Sequence, residues 1–93
     1  MKLHKTTIAQ LDAMVMALAI YRKIEVERER HRQAAPAAEA SAEEKAAYTA
    51  KKGQLATDGQ RAREAFLKAA LPCETTIRQV IKTAKASQDS EGA

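Results

Sequence analysis

Residues 13 to 21 read Ala-Met-Val-Met-Ala-Leu-Ala-Ile-Tyr, and this stretch decides the fold. Its one polar group is the tyrosine hydroxyl, and the wider segment from Ile8 to Val26 contains neither Gly nor Pro. At about 100° per residue, the large apolar side chains of this segment point to more than one side of a helix. A helix that is apolar nearly all round must be covered from several directions, so we expect the rest of the chain to supply that cover.

The apolar side chains of this helix divide into two groups. One side carries five large residues that we expect to pack inside the chain: Ile8, Leu11, Val15, Leu18 and Val26. Four others are left without an obvious cover: Met14, Met16, Ile20 and Ile24. We predict that these four form an oligomer or partner interface. Met14 and Met16 either fill the core or form an adaptable contact surface. The two interpretations become the same if the core is shared between subunits.

Length and composition indicate one small helical domain. A chain of 93 residues buries only about 60–65% of the surface that its unfolded form exposes, so a monomer would be marginally stable. Sixteen Lys and Arg against 12 Asp and Glu give a net charge of +4, a mild basic excess. Good helix formers dominate, and no segment alternates with the period of a strand.

The chain is expected to be cytoplasmic and to have no membrane partner. Cys73 is the one cysteine, so no intramolecular disulfide can form, and this fits a reducing compartment. We interpret Cys73 as a small buried or incidental thiol rather than a reactive or metal-bound one. Lys2 and Lys5 resemble the start of a signal peptide, but Gln10 and Asp12 interrupt the hydrophobic region that should follow.

Capping and proline signals predict three helices in a single domain over residues 1–86. The first runs over about 7–33 from a capping box that starts at Thr7. The second runs over about 41–71, from a capping box at Ser41 to Pro72. The third covers about 76–86, and residues 87–93 are expected to be a disordered tail.

The first two helices are predicted to form a long antiparallel hairpin that turns near Pro36. Facing residue numbers should then sum to about 74, which pairs Val15 with Gly59 and Leu18 with Leu55. Two seven-residue rows on the second helix are typical of a close helix–helix seam: Tyr48, Leu55, Ala62 and Ala69, and Lys52, Gly59, Phe66 and Cys73. Gly53 and Gly59 indicate either that the second helix is locally less stable or kinked, or that its backbone lies close to that of the first helix. The third helix is expected to fold back over the hairpin.

No motif for catalysis, metal binding or a cofactor is found. His4 and His31 are 27 positions apart and match no metal-ligand spacing, and no glycine-rich phosphate loop is present. Asp12 and Glu25 would lie about 20 Å apart along a helix, too far for paired acid–base work. We therefore expect no enzyme activity, no catalytic or metal site and no cofactor.

The pattern favours an all-α hairpin with a shorter third helix that assembles into a helical-bundle oligomer, with a dimer favoured. Its expected function is that of a small protein-interaction module: an adaptor, a chaperone or an occluding inhibitor of the kind that phages and mobile elements encode. The alternative is a DNA-binding accessory protein, with Leu71 to Thr75 as the turn of a helix-turn-helix. On the third helix, Arg78, Lys82 and Lys85 are the candidate contacts for nucleic acid or for an acidic partner.

Overall fold

Three α-helices make up the chain in a computed structural model, which describes the backbone of residues 3–92 and the side chains of residues 3–88. Helix α1 spans Lys5–Gln33 and helix α2 spans Ala42–Ala70. A 3-10 turn at Leu71–Cys73 leads directly into α3, Glu74–Gly92. No strand occurs within the described residues, and α1 and α2 pack against each other as a helical hairpin, as predicted.

The N-terminus of α2 is capped as the sequence predicts. Ser41 is the N-cap residue, and its Oγ accepts a hydrogen bond from the Glu44 amide at 3.1 Å. The N-terminus of α1 differs from the prediction, because the helix begins one turn before Thr7. His4 is its N-cap residue, without a side-chain cap, and the Ile8 amide donates to the His4 carbonyl at 3.0 Å. Lys5 and Thr6 tolerate helical geometry, so they extend the helix beyond the predicted capping box.

The seam between α1 and α2 follows the predicted rows of α2. Leu55, Gly59 and Ala62 are buried, and Tyr48, Phe66 and Ala69 are half-buried. On α1, half-buried residues recur every three or four positions up to Ile24, as expected for one helix face: Thr7, Leu11, Met14, Ala17, Tyr21 and Ile24. His31 follows seven positions later, and Gln10 is half-buried as well.

The predicted register and the predicted inner side of α1 are wrong. Gly59 lies beside Arg28 and Glu25 instead of Val15, and Tyr48 lies against His31. The eight-residue connection between the helices carries the chain past the end of α1 before α2 begins, which shifts every pairing. Helix α1 also presents a different side to α2 than predicted, because Ile8, Val15, Leu18 and Val26, which were expected to face α2, lie on its exposed side.

Pro72 ends α2 as predicted, but it does not make the chain turn back. Proline has no amide hydrogen and its ring clashes with the carbonyl four residues earlier, so the backbone tightens into one 3-10 turn. The Glu74 amide then bonds to the Leu71 carbonyl, and α3 begins without a free N-terminus to cap. This continuity rules out Leu71 to Thr75 as a helix-turn-helix turn, because that motif needs a turn between two packed helices.

Helix α3 also differs from the prediction in its length and packing. It extends to Gly92, so residues 87–92 are helical rather than a disordered tail, and Ala93 lies outside the described residues. No Gly or Pro interrupts the chain between Cys73 and Gly92, which lets the helix propagate. Residues 78–88 are all exposed, so α3 projects from the hairpin instead of covering it.

Candidate interaction surfaces

The exposed half of α1 is the most apolar surface of the described chain. Six of its large hydrophobic residues are exposed: Ile8, Val15, Met16, Leu18, Ile20 and Val26. On α2 only Leu67, in the last turn, is a large exposed hydrophobic residue. The outward positions of α2 are filled mostly by Lys, Gln, Arg, Thr and Ala. Up to Val26, the outer side of α1 therefore carries more large apolar residues than the outer side of α2.

The four predicted interface residues fall in two environments. Met16 is 60% exposed and Ile20 is 56% exposed, and both lie away from α2. Met14 and Ile24 are half-buried and belong to the seam with α2. Sequence reasoning missed the outward position of Ile8, Val15 and Val26, because the assumed register placed them against α2. The contrast between the polar outer positions of α2 and the apolar ones of α1 is a signal that the sequence did carry.

The total exposed area shows how little of the chain is covered. The surface area is 7700 Å², whereas a compact monomer of 10.2 kDa exposes about 5,300 Å². The radius of gyration is 20.4 Å, against about 12 Å for a compact domain of this length. The molecule measures 66 × 32 × 14 Å. The chain therefore exposes roughly 2,400 Å² more than a compact fold of its mass would.

A shallow cleft of about 270 Å³ lies near the turn of the hairpin. Its lining residues come from both helices: Glu25, Arg28, Glu29, His31, Arg32, Tyr48, Lys52 and Leu55. The charged groups largely pair with their own neighbours, since Arg28 Nη1 lies 3.1 Å from Glu25 Oε1 and Arg32 Nη2 lies 2.6 Å from Glu29 Oε1.

The ion pair between Glu29 and Arg32 lies at the rim of this cleft, and it shifts the pKa of both groups. The hydrogen bond from Arg32 lowers the pKa of the Glu29 carboxyl, and the same bond raises the pKa of the Arg32 guanidinium. Both groups are solvent-exposed. An exposed pair of this kind is the ordinary chemistry of a charged helix surface and contributes little to stability.

The projecting helix α3 combines a basic side with apolar residues. Lys82 and Lys85 are exposed, whereas Arg78 is held by Glu74, with Nη2 and Oε1 2.8 Å apart. The predicted basic side is thus weakened at one of its three positions. At the root of the helix, a shallow apolar groove is lined by Leu67, Ala70, Leu71, Glu74, Ile77 and Arg78.

Cys73 is the most deeply buried side chain of the described residues. It is 1% exposed, and its Sγ lies 3.5 Å from the Ala69 carbonyl oxygen, to which the thiol donates. The 3-10 turn that carries it also packs on α1. Cys73 therefore fills the junction between the hairpin and α3, as a small apolar residue would.

Across residues 3–88, no three side chains of His, Cys, Asp or Glu come close enough together to hold a metal ion. None of the described helices is both long enough and apolar enough to span a bilayer.

No known protein-family model, curated protein sequence or solved structure matches this chain.

Proposed function

We propose that the chain is a small non-enzymatic helical module that binds a macromolecular protein partner through its exposed helical surfaces. The observation that carries this proposal is the exposed apolar side of α1, in a chain that exposes roughly 2,400 Å² more than a compact monomer. Monomeric proteins rarely expose large contiguous apolar patches, and such patches commonly mark interaction sites. An adaptor, a chaperone or an occluding inhibitor would each use a surface of this kind.

The lining of the hairpin cleft supports a non-catalytic role. A catalytic pocket needs charged groups that are poised for a substrate, whereas Glu25, Arg28, Glu29 and Arg32 engage one another on an exposed helix surface. We further propose that the protein acts in the cytoplasm, because its single cysteine fits a reducing compartment.

The test is capture from cells of the native host with matched surface variants. Ile20→Lys and Leu71→Lys place a charge on exposed apolar residues of α1 and of the α3 root. Ala50→Lys adds the same charge to an exposed position of α2 and serves as the control. We expect a protein that binds the wild type and Ala50→Lys in a defined stoichiometry and is lost with at least one of the other two. Equal capture by all four proteins would contradict the proposal.

A second candidate function is DNA binding by α3. It is supported by the projection of this helix from the hairpin, with Lys82 and Lys85 exposed on it. The ion pair between Arg78 and Glu74 argues against it, because a phosphate would have to compete with a carboxylate. Three cations with no aromatic stacking partner also make a small nucleic-acid footprint.

A gel-shift titration at two salt concentrations separates the two functions. If α3 docks on a protein, the wild type should bind DNA only weakly at physiological salt. If it binds DNA, affinity should fall steeply with added salt as counterions are released. In that case the triple change Arg78→Ala, Lys82→Ala, Lys85→Ala should abolish binding, and DNA binding would replace the protein partner as the proposed function.

A further inference from the structure

Six exposed positions on α1 form a second seam, which is distinct from the α1–α2 seam and faces away from α2: Ile8, Asp12, Val15, Ala19, Arg22 and Val26. They are spaced alternately four and three residues apart. An average spacing of 3.5 residues is the signature of helices that pack along one another as a coiled coil. In this structure the spacing occurs on the side of α1 that no other element covers.

The seam is self-complementary when its direction is reversed. Position 8 exchanges with position 26, position 12 with 22, and position 15 with 19. Two of the exchanges therefore pair an apolar residue with an apolar residue, and the third pairs Asp12 with Arg22. Neither Asp12 nor Arg22 takes part in an ion pair within the described residues.

We propose that a second copy of this chain packs on the seam, with its α1 antiparallel to the first. A two-fold axis then crosses the seam midway between Val15 and Ala19, as an isologous dimer interface requires. Ile8 lies on the partner's Val26, Val15 lies on the partner's Ala19, and Asp12 pairs with the partner's Arg22. Met16 and Leu18 flank the axis on either side of the seam.

Charge selects the antiparallel arrangement over the parallel one. In a parallel pair with the same seam, Asp12 would face the partner's Asp12 and Arg22 would face the partner's Arg22. Like charges directly opposed across an interface are strongly unfavourable. The reversed direction replaces both repulsions with two ion pairs of opposite charge.

The excess exposed surface of the chain is large enough for one dimer interface. Residues 8 to 26 span about 27 Å of helix. A standard interface buries about 800 Å² on each partner, which is roughly a third of the excess surface of this chain. The dimer would cover the outer side of α1 and leave Leu71 and α3 accessible. This inference rests on the proposed function, because it assigns one of the exposed surfaces of the module to a second copy.

The first test reverses the charges one at a time and then together. Asp12→Arg creates two Arg–Arg contacts in the dimer, and Arg22→Asp creates two Asp–Asp contacts. We expect each single variant to raise the dimer dissociation constant at least about tenfold, and the double variant to return it to within about threefold of the wild-type value. Sedimentation equilibrium measures the constants. Circular dichroism checks that all variants stay helical, as expected for exposed positions.

The second test fixes the register. Val15→Cys and Ala19→Cys proteins should form a disulfide-linked heterodimer when they are mixed and oxidised, and neither should crosslink efficiently alone. The natural Cys73 should not interfere, because it is buried, and wild-type protein is the control.

Three results would overturn the dimer. They are a wild type that stays monomeric at micromolar concentrations, single charge variants that dimerise as well as the wild type, or a double variant that is not rescued. A monomeric wild type that still captures a protein through Leu71 would sink the dimer and leave the proposed function standing. A dimer that captures no protein would support the dimer and contradict the proposed function.

Discussion

The imidazole ring of His31 stacks on the ring of Tyr48, with the ring centroids 4.1 Å apart and the planes 16° from parallel. The same imidazole donates from Nε2 to the backbone carbonyl oxygen of Tyr48 at 2.9 Å. One residue of α1 is thus attached to both the side chain and the main chain of one residue of α2. This double contact sets how far the two helices are shifted along each other near the turn.

Replacing His31 with alanine should lower the free energy of unfolding by about 1.5–2.5 kcal/mol. The variant loses a part-buried hydrogen bond, which contributes about 1 kcal/mol, and an aromatic contact of about 0.5–1.5 kcal/mol. Urea denaturation at one fixed protein concentration measures the loss, because oligomerisation would make stability concentration-dependent.

His4→Ala is the matched control, since His4 precedes α1 and makes no side-chain cap. It should change the free energy of unfolding by less than about 0.5 kcal/mol. Equal destabilisation by the two histidine variants would show that the stack does not hold the hairpin.

The two helical glycines of α2 should respond differently to alanine. A Cβ at Gly53 would meet nothing within 4 Å, so Gly53→Ala should stabilise the protein by about 0.5–1 kcal/mol through the higher helix propensity of alanine. A Cβ at Gly59 would lie 3.3 Å from Arg28 Nη1. Gly59→Ala should gain less, because Arg28 must shift and its bond to Glu25 is disturbed. Thermal melts of the two variants side by side give the comparison, and a larger gain at Gly59 would contradict it.

Removing the cap of α2 should destabilise the hairpin. Ser41→Ala deprives the Glu44 amide of its acceptor, and the expected loss is about 1 kcal/mol. Thr49→Ala is the control: its hydroxyl bonds to the Lys45 carbonyl within the helix, and its removal should change stability by less than about 0.5 kcal/mol. An unchanged denaturation midpoint for Ser41→Ala would mean that α2 begins elsewhere in solution.

Truncating Leu55 should be the most damaging leucine-to-alanine change on α2. Leu55 is 7% exposed in the seam, so Leu55→Ala should cost about 2–4 kcal/mol. Leu67 is 53% exposed, and Leu67→Ala should cost less than about 1 kcal/mol. Equal losses in the free energy of unfolding would show that the seam has been assigned to the wrong side of α2.

Local signals in the sequence predicted the fold class and much of α2. Ser41 and Glu44 mark the helix start because a cap depends on residues only three positions apart. The seven-residue rows locate the seam of α2 because its other positions are clearly polar. Pro72 ends the helix because its missing amide hydrogen and its ring affect only the preceding turn.

The register and the path of α3 could not be read from such local signals. Helix α1 is apolar on several sides, so its pattern does not identify the side that faces α2. The choice depends on where the connection from Ala34 to Ser41 places α2 around α1, and a rotation of α1 about its axis by half a turn exchanges the inner and outer groups. Proline likewise stops a helix without specifying the direction that follows, and here the backbone continues through a single 3-10 turn into α3.

The 3-10 turn at Leu71–Cys73 joins the long helix α3 to the hairpin. The turn is fastened to α1 under Cys73, while the 19-residue helix beyond it extends about 28 Å and is exposed throughout residues 78–88. Tilting the backbone by about 20° at Pro72 would carry the far end roughly 10 Å sideways without disturbing one seam contact between α1 and α2. A partner that binds the far end of α3 therefore acts at a long distance from the junction. A small change in the packing around Cys73 becomes a larger displacement at Lys82 and Lys85.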